Sequence, residues 1–184
     1  SPVSGYRFDR WSGDASGNTT AVTITMNSDK NITAAFKQVY TLTTSVNATG
    51  GGSVSPASGS YDAGSAVTLT ATPAAGYRFD RWFGDASGTT ATVTITMNSD
   101  KITSAAFKKV YYLTTSVNPA GSGTVSPAGG NYDDGAILLL TVQAAGGYRF
   151  DHWEGDASGN VTANVTMSSN KNVIAFFKTL APPQ

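Results

Sequence analysis

The sequence predicts an all-β protein made of tandem modules, each a small β-sandwich or barrel-like unit of about 70 residues with about six strands. Three observations carry that prediction. Gly5-Tyr-Arg-Phe-Asp-Arg-Trp11 returns as Gly76-Tyr-Arg-Phe-Asp-Arg-Trp82 and as Gly147-Tyr-Arg-Phe-Asp-His-Trp153, a spacing of 71 residues, so one structural unit is written repeatedly. Between these segments apolar residues alternate with hydroxyl residues at the period of two expected of half-buried strands. Clusters of Gly, Asp, Asn, Ser and Pro separate the alternating runs and read as turns.

Taken in order, the chain divides into a half repeat (1–38), one whole repeat (39–109), a second (110–179) and a tail (180–184) whose Ala181-Pro-Pro-Gln184 reads as a linker. The half repeat matches the second half of the others: Met26-Asn-Ser-Asp-Lys30 recurs at Met97 to Lys101, and Ala34-Ala-Phe-Lys37 at Ala105 to Lys108. In the first whole repeat strands are expected at roughly 40–47, 52–55, 65–72, 77–83, 91–97 and 102–108. Leu42, Thr44 and Val46 alternate with Thr43 and Ser45; Val67, Leu69 and Ala71 with Thr68 and Thr70; Val93, Ile95 and Met97 with Thr92, Thr94 and Thr96. Turns are expected at Thr49–Gly52, Pro56–Gly59, Asp62–Gly64, Gly84–Gly88 and Asn98–Asp100. The second whole repeat follows with one residue deleted, which places a tolerant loop between Gly159 and Val165. Ile137-Leu-Leu-Leu140 breaks its hydroxyl face and is expected to be covered by a neighbouring module, a partner or the half repeat. The half repeat cannot bury Val22, Ile24, Met26 and Phe36 alone, so residues 5–37 are expected to pack on the first whole repeat or to complete a sheet with a neighbouring molecule. Lys108-Lys-Val110 reads as a short connector that restricts rotation between repeats.

Composition excludes several classes of function. Twelve basic and twelve acidic residues are scattered along the chain, unlike the clustered Lys and Arg of a nucleic-acid footprint. With no cysteine there is no disulfide, thiolate metal site or thiol nucleophile. Eleven of the twelve acids are Asp, a bias toward turns and away from long helices. No apolar run approaches the ~20 residues of a membrane-spanning helix, so no membrane insertion is expected. Ser1 opens inside the repeat pattern, as in a segment of something longer.

Tyr40-x-Leu-Thr-x-x-Val46, Gly51-Gly-Ser-Val-Ser-Pro56, Gly59-x-Tyr61, Gly64, Val67-Thr-Leu-Thr-Ala71, Gly76-Tyr-x-Phe-x-x-Trp82 and Ala106-Phe107 together resemble the divergent internalin-type B-repeat. The resemblance covers nearly the whole chain. It implies tandem modules of large secreted or surface-anchored bacterial proteins, among them adhesins and multimodular polysaccharide-degrading enzymes. It supplies no catalytic motif.

Two uses compete for the recurring aromatic segment. Tyr77-Arg-Phe-Asp-Arg-Trp82 could stack on a sugar and bind its hydroxyls, which makes Trp82, Trp153, Tyr61, Tyr132, Arg81 and Asp85 the candidate glycan-binding residues. Against this, aromatics are the largest source of buried area in a small β-module. Burying Tyr77, Phe79 and Trp82 together requires a bulge near Asp80-Arg81, because strict alternation puts Trp82 on the opposite face. The loop Gly84-Asp-Ala-Ser-Gly88 offers Asp85 to calcium, but one carboxylate falls short of the six to eight oxygens that ion takes, and an Asp capping neighbouring amides explains it better. Asp133-Asp134 reads as a solvated turn. His152 stands where the other copies have Arg10 and Arg81, and Glu154 where they have Ser12 and Phe83, so neither belongs to a repeated catalytic set. The expectation is a non-catalytic extracellular module without metal or cofactor, a spacer or adhesive stalk in a secreted or cell-surface protein whose partners are neighbouring modules. The alternative is a carbohydrate-binding module, appended to a secreted polysaccharide-active enzyme, that takes a cell-surface, plant or microbial polysaccharide.

Overall fold

The structure, a computed structural model, describes residues 1–181; most of the expected linker tail, 180–184, lies outside the described residues. Among them are fourteen strands and no helix. The chain forms two compact units, one of Ser1–Ala74 with Phe79–Phe107, the other of Ala75–Arg78 with the chain from Lys108 onward.

The first unit holds the half repeat and most of the first whole repeat. Strand β1 (Tyr6–Gly13) pairs antiparallel with the first part of β2 (Ile32–Val46), and the second part of β2 opens the whole repeat. There follow β3 (Gly52–Ser55), β4 (Gly59–Asp62), β5 (Ala66–Pro73), β6 (Tyr77–Gly84), β7 (Thr92–Thr96) and β8 (Lys101–Asn118). They form two sheets. In one, β4 runs antiparallel to β2, β2 runs parallel to the beginning of β8, and β6 pairs with β8. In the other, β5 lies between β3 and β7, antiparallel to both. Leu42, Ala105 and Phe107 of the first sheet are buried with Val67, Leu69, Ala71 and Ile95 of the second, while Thr68, Thr70, Thr92 and Thr94 face water. The period of two thus becomes one apolar and one hydroxyl face, and the Thr68 and Thr94 hydroxyls hydrogen-bond across strands at 2.9 Å.

In the second unit the later part of β8 takes the place that β2 has in the first. It pairs antiparallel with β10 (Gly130–Asp133) and parallel with β14 (Lys171–Thr179), which pairs with β12 (Tyr148–Gly155). The second sheet sets β11 (Ile137–Ala144) between β9 (Gly123–Ser126) and β13 (Thr162–Thr166). Leu113, Val173, Ala175 and Phe177 from one sheet and Leu140, Ala163, Val165 and Met167 from the other or its flank make a single core cluster. The modules are therefore two-layer sandwiches, with the sheets packed face to face.

Three expectations change. Each whole repeat has seven strands: β4 and β10 stand where no strand is expected, β4 with its two ends in the turns expected at Pro56–Gly59 and Asp62–Gly64, because four residues are too short to show alternation. Lys108–Val110 connects nothing as a loop, since it lies inside the unbroken strand β8. Within the second unit Ile137-Leu-Leu-Leu140 divides between two faces. Leu140 is buried and Leu138 partly so, but Ile137 and Leu139 point outward and remain 72% and 57% exposed. The deletion in the last repeat is absorbed between Gly159 and Thr162, since Val165 already belongs to β13.

One glycine is demanded by close approach. Gly84 ends β6 at φ +91°, and a Cβ there would overlap the Ile102 carbonyl oxygen; Gly13 and Gly155 repeat the contact against Asn31 and Asn172.

The two adjacent leucines of β11 provide a direct check of face assignment. Leu140→Ala is expected to cost about 2–5 kcal/mol in equilibrium denaturant unfolding, and Leu139→Thr to change stability by no more than about 0.5 kcal/mol. Equal losses for both would contradict the assignment.

Candidate functional site

The thrice-written aromatic segment forms β1, β6 and β12, and in each the chain departs from strict alternation. In β1 the pairing register with β2 runs Phe8 to Phe36 and then Arg10 to Ala35, so Asp9 is an extra, unpaired residue. In β12 Phe150 faces Phe177 and His152 faces Phe176, with Asp151 the extra residue. The bulge returns Trp to the side of the strand that carries Phe. Ring centroids of Phe79 and Trp82 lie 5.4 Å apart at 55°, and those of Phe79 and Phe107 lie 5.9 Å apart at 72°. Phe150, Trp153 and Phe177 repeat this with 5.3 and 5.8 Å. These tilted and edge-to-face arrangements are the favourable ones for aromatic rings.

Each indole N–H has a partner. Trp82 Nε1 donates to the Thr90 carbonyl at 3.0 Å, Trp11 to Thr19 at 2.9 Å, and Trp153 to Asn160 at 2.7 Å, one residue nearer in sequence because of the deletion. The loop that supplies the carbonyl is itself tied down by an aspartate. Asp85 Oδ2 accepts from the Ile102 amide at 2.7 Å while the Asp85 amide donates to the Ile102 carbonyl at 2.8 Å. Asp14 and Asn31, and Asp156 and Asn172, do the same. The Ile102 amide holds the Asp85 carboxyl below its ordinary value, with Lys101 adding to the effect. Asp85 therefore caps a strand seventeen residues away rather than the neighbouring amides expected from sequence.

Of the six candidate glycan-binding residues, Trp82 and Trp153 are 2% and 7% exposed and present no ring face to solvent. Tyr61 and Tyr132 are half-buried opposite Tyr40 and Tyr111, and the Tyr132 hydroxyl donates to the Ala128 carbonyl at 2.8 Å. Arg81 is exposed and pairs with Asp80 at 3.3 Å; Asp85 is engaged as described. The structure thus brings the aromatics together as core and leaves no open row of indoles.

A paired clamp also emerges that the sequence reading missed. Arg7 binds Asp62 through two parallel bonds of 2.6 and 2.7 Å, and Arg78 binds Asp133 through two of 2.6 Å. Both pairs are separated by 55 residues, and that equal spacing was the available signal. Asp133 is accordingly no free turn acid, and the guanidinium bonds hold its carboxyl below the ordinary range. Each clamp joins the aromatic strand of one sequence repeat to β4 or β10 of the next.

The residue after the bulged aspartate is Arg in two copies and His in the third, and each meets that carboxylate. Arg10 pairs with Asp9 at 3.1 Å, Arg81 with Asp80, and His152 Nδ1 with Asp151 at 2.8 Å. His152 also meets Glu154 at 3.3 Å and stacks on Phe176 with centroids 4.8 Å apart and planes at 11°. Its pKa is raised above the ordinary 6.5, by the Asp151 bond first and the Glu154 bond second.

Two pH dependences follow. A raised folded-state pKa stabilises the protein below pH 6.5, and that contribution disappears as pH rises through the higher folded value; histidine NMR titration of His152 should give a midpoint above 6.5. A midpoint at or below it would contradict the pairing. Asp133 acts at the other end. Its lowered pKa stabilises the fold above pH 3.8 and is lost as pH falls below that value, so Asp133→Asn should remove part of the acid-induced loss of stability.

No curated protein matches the chain. No helix among the described residues is long and apolar enough to cross a membrane. The model of the divergent InlB B-repeat domain matches residues 1–40, 42–111 and 113–181. With its bulged aromatic strand written three times, the chain belongs to the divergent InlB B-repeat family.

Proposed function

We propose that this chain is a load-bearing, non-catalytic spacer or adhesive stalk segment of a secreted or surface-anchored bacterial protein. One observation carries the reading: the first and last strands of each whole repeat are parallel neighbours. Leu42–Val46 of β2 pair with Lys101–Ala105 of β8, and Leu113–Asn118 of β8 with Lys171–Phe176 of β14. In a parallel pair the entry end of one strand and the exit end of the other lie at opposite ends of the ladder. Tension along the chain therefore slides the strands past each other and loads all the ladder bonds together, whereas an antiparallel terminal pair would open one bond at a time. Strand β8 closes one repeat and opens the next, so load passes along extended backbone without a loop. Hydroxyl outer faces suit such a module, since they resist the edge and face association that apolar surfaces invite. Membership of the B-repeat family supports the extracellular setting.

The carbohydrate-binding reading retains fewer groups than the sequence offered. With the indoles inside, Tyr61, Tyr132, Arg81 and Asp85 are the candidates that reach solvent, two half-buried tyrosines and two charged side chains already engaged in ion pairs rather than a stacking platform.

Single-molecule pulling from the two termini tests the spacer directly. The chain should yield two discrete ruptures, each releasing about 70 residues, or roughly 230–250 Å of extended chain. Smooth lengthening at low force with no discrete event would contradict it. Affinity electrophoresis against soluble and insoluble glycans tests the other reading. Retardation lost on Tyr61→Ala and Tyr132→Ala would favour carbohydrate binding over the spacer.

A further inference from the structure

The half repeat carries the same second-half sequence as the whole repeats, yet one of its strands is missing. In the first whole repeat Thr92–Thr96 pair with β5, Val93 opposite Leu69 and Ile95 opposite Val67; Thr162–Thr166 pair with β11 in the same way. The corresponding Ala21-Val-Thr-Ile-Thr25 has the same alternation but is not a strand and pairs with nothing in a sheet. The residues around it are otherwise arranged as in the whole repeats. Phe8 lies 5.2 Å from Trp11 and 5.9 Å from Phe36, the Trp11 amide donates to Gly17 at 2.8 Å, and Asp14 caps Asn31 at 2.7 Å.

What differs is cover. Met26 is 69% exposed where Met97 and Met167 are fully buried, and Phe36 is 42% exposed where Phe107 and Phe177 are buried. Shallow hollows open beside this face, one lined by Phe8, Trp11, Ala34 and Phe36, another by Val22 to Thr25 with Asp14 and Lys30. In the whole repeats the equivalent ground is occupied by the sheet whose centre is β5 or β11.

We propose that Ala21–Thr25 is an acceptor edge for one added β-strand, and that its occupant is the β5-type strand of a repeat of this same kind. The required chemistry is that of Ala66-Val-Thr-Leu-Thr-Ala71: apolar residues at alternate positions to cover Trp11, Met26 and Phe36, and hydroxyls between them. By equivalence with the whole repeat, the donor's Leu sits opposite Val22 and its Val opposite Ile24, and a donor Thr meets Thr23 as Thr68 meets Thr94. The backbone supplies affinity and the alternating side chains supply register, as in other strand additions. Such an edge would serve with or without a load-bearing role for the chain.

The test adds a synthetic peptide of residues 65–74 to the full chain and follows amide hydrogen exchange. Exchange over 21–26 should slow by at least about tenfold at saturation, and a peptide carrying Val67→Asp and Leu69→Asp should have no effect. A second protein, with a copy of residues 40–71 joined directly ahead of Ser1, should protect 21–25 to the level of 92–96. Protection in either experiment, at those residues, supports the acceptor edge. Absence of protection in both overturns it.

Discussion

The structure depends on a bulge at one aspartate. Phe and Trp three residues apart in a regular strand would point to opposite faces, and a module of this size has too little core to leave an indole outside. Inserting Asp9 or Asp151 as an extra residue brings both rings to one side, where they meet a third from the closing strand. Much else follows from that placement. The indole N–H reaches the following loop, whose glycine and aspartate fasten it to the last strand. The bulged carboxylate meets the side chain that follows it, Arg in two copies and His in the third, a position that varies while Phe, Asp and Trp do not differ among the three copies.

Thin cores also explain how the repeats are joined. A cysteine-free module of about 70 residues has no covalent staple and relies on shared backbone and bonds to the next repeat. The last strand of one repeat continues as the first strand of the following one in β2 and again in β8. A bidentate Arg–Asp pair accompanies each passage, with a lysine, Lys37 or Lys108, near the same carboxylate at 3.8 and 3.9 Å. Compact bodies and sequence repeats consequently do not share boundaries: Ala75–Arg78 belong to the second unit although their repeat ends at 109.

The fold class, the longer strands and the need for a bulge were legible in the sequence because each rests on local periodicity. Val67-Thr-Leu-Thr-Ala71 states its faces without reference to anything else. Strands β4 and β10 were not legible, since Gly59-Ser-Tyr-Asp62 has no alternation and is held by pairing with β2, a partner some twenty residues away. The capping role of Asp85 was visible but its target was not, because the accepted amide belongs to a distant strand. The Arg–Asp clamps required comparing spacings between different residue types, whereas the repeat was found by matching like with like. As for the site, the sequence left Trp82 and Trp153 open to either use, and burial of both rings is what three-dimensional packing adds.

That burial is also the point most open to direct test. Exchange of the three indole Nε1 protons with solvent, followed by NMR on the intact chain, compares the same segment with and without its covering sheet. Slow exchange is expected for Trp82 and Trp153 and much faster exchange for Trp11, whose half repeat lacks the β5-type layer. Equally fast exchange at all three would mean that the recurring aromatic strand is a surface feature and that the bulge does not build the core.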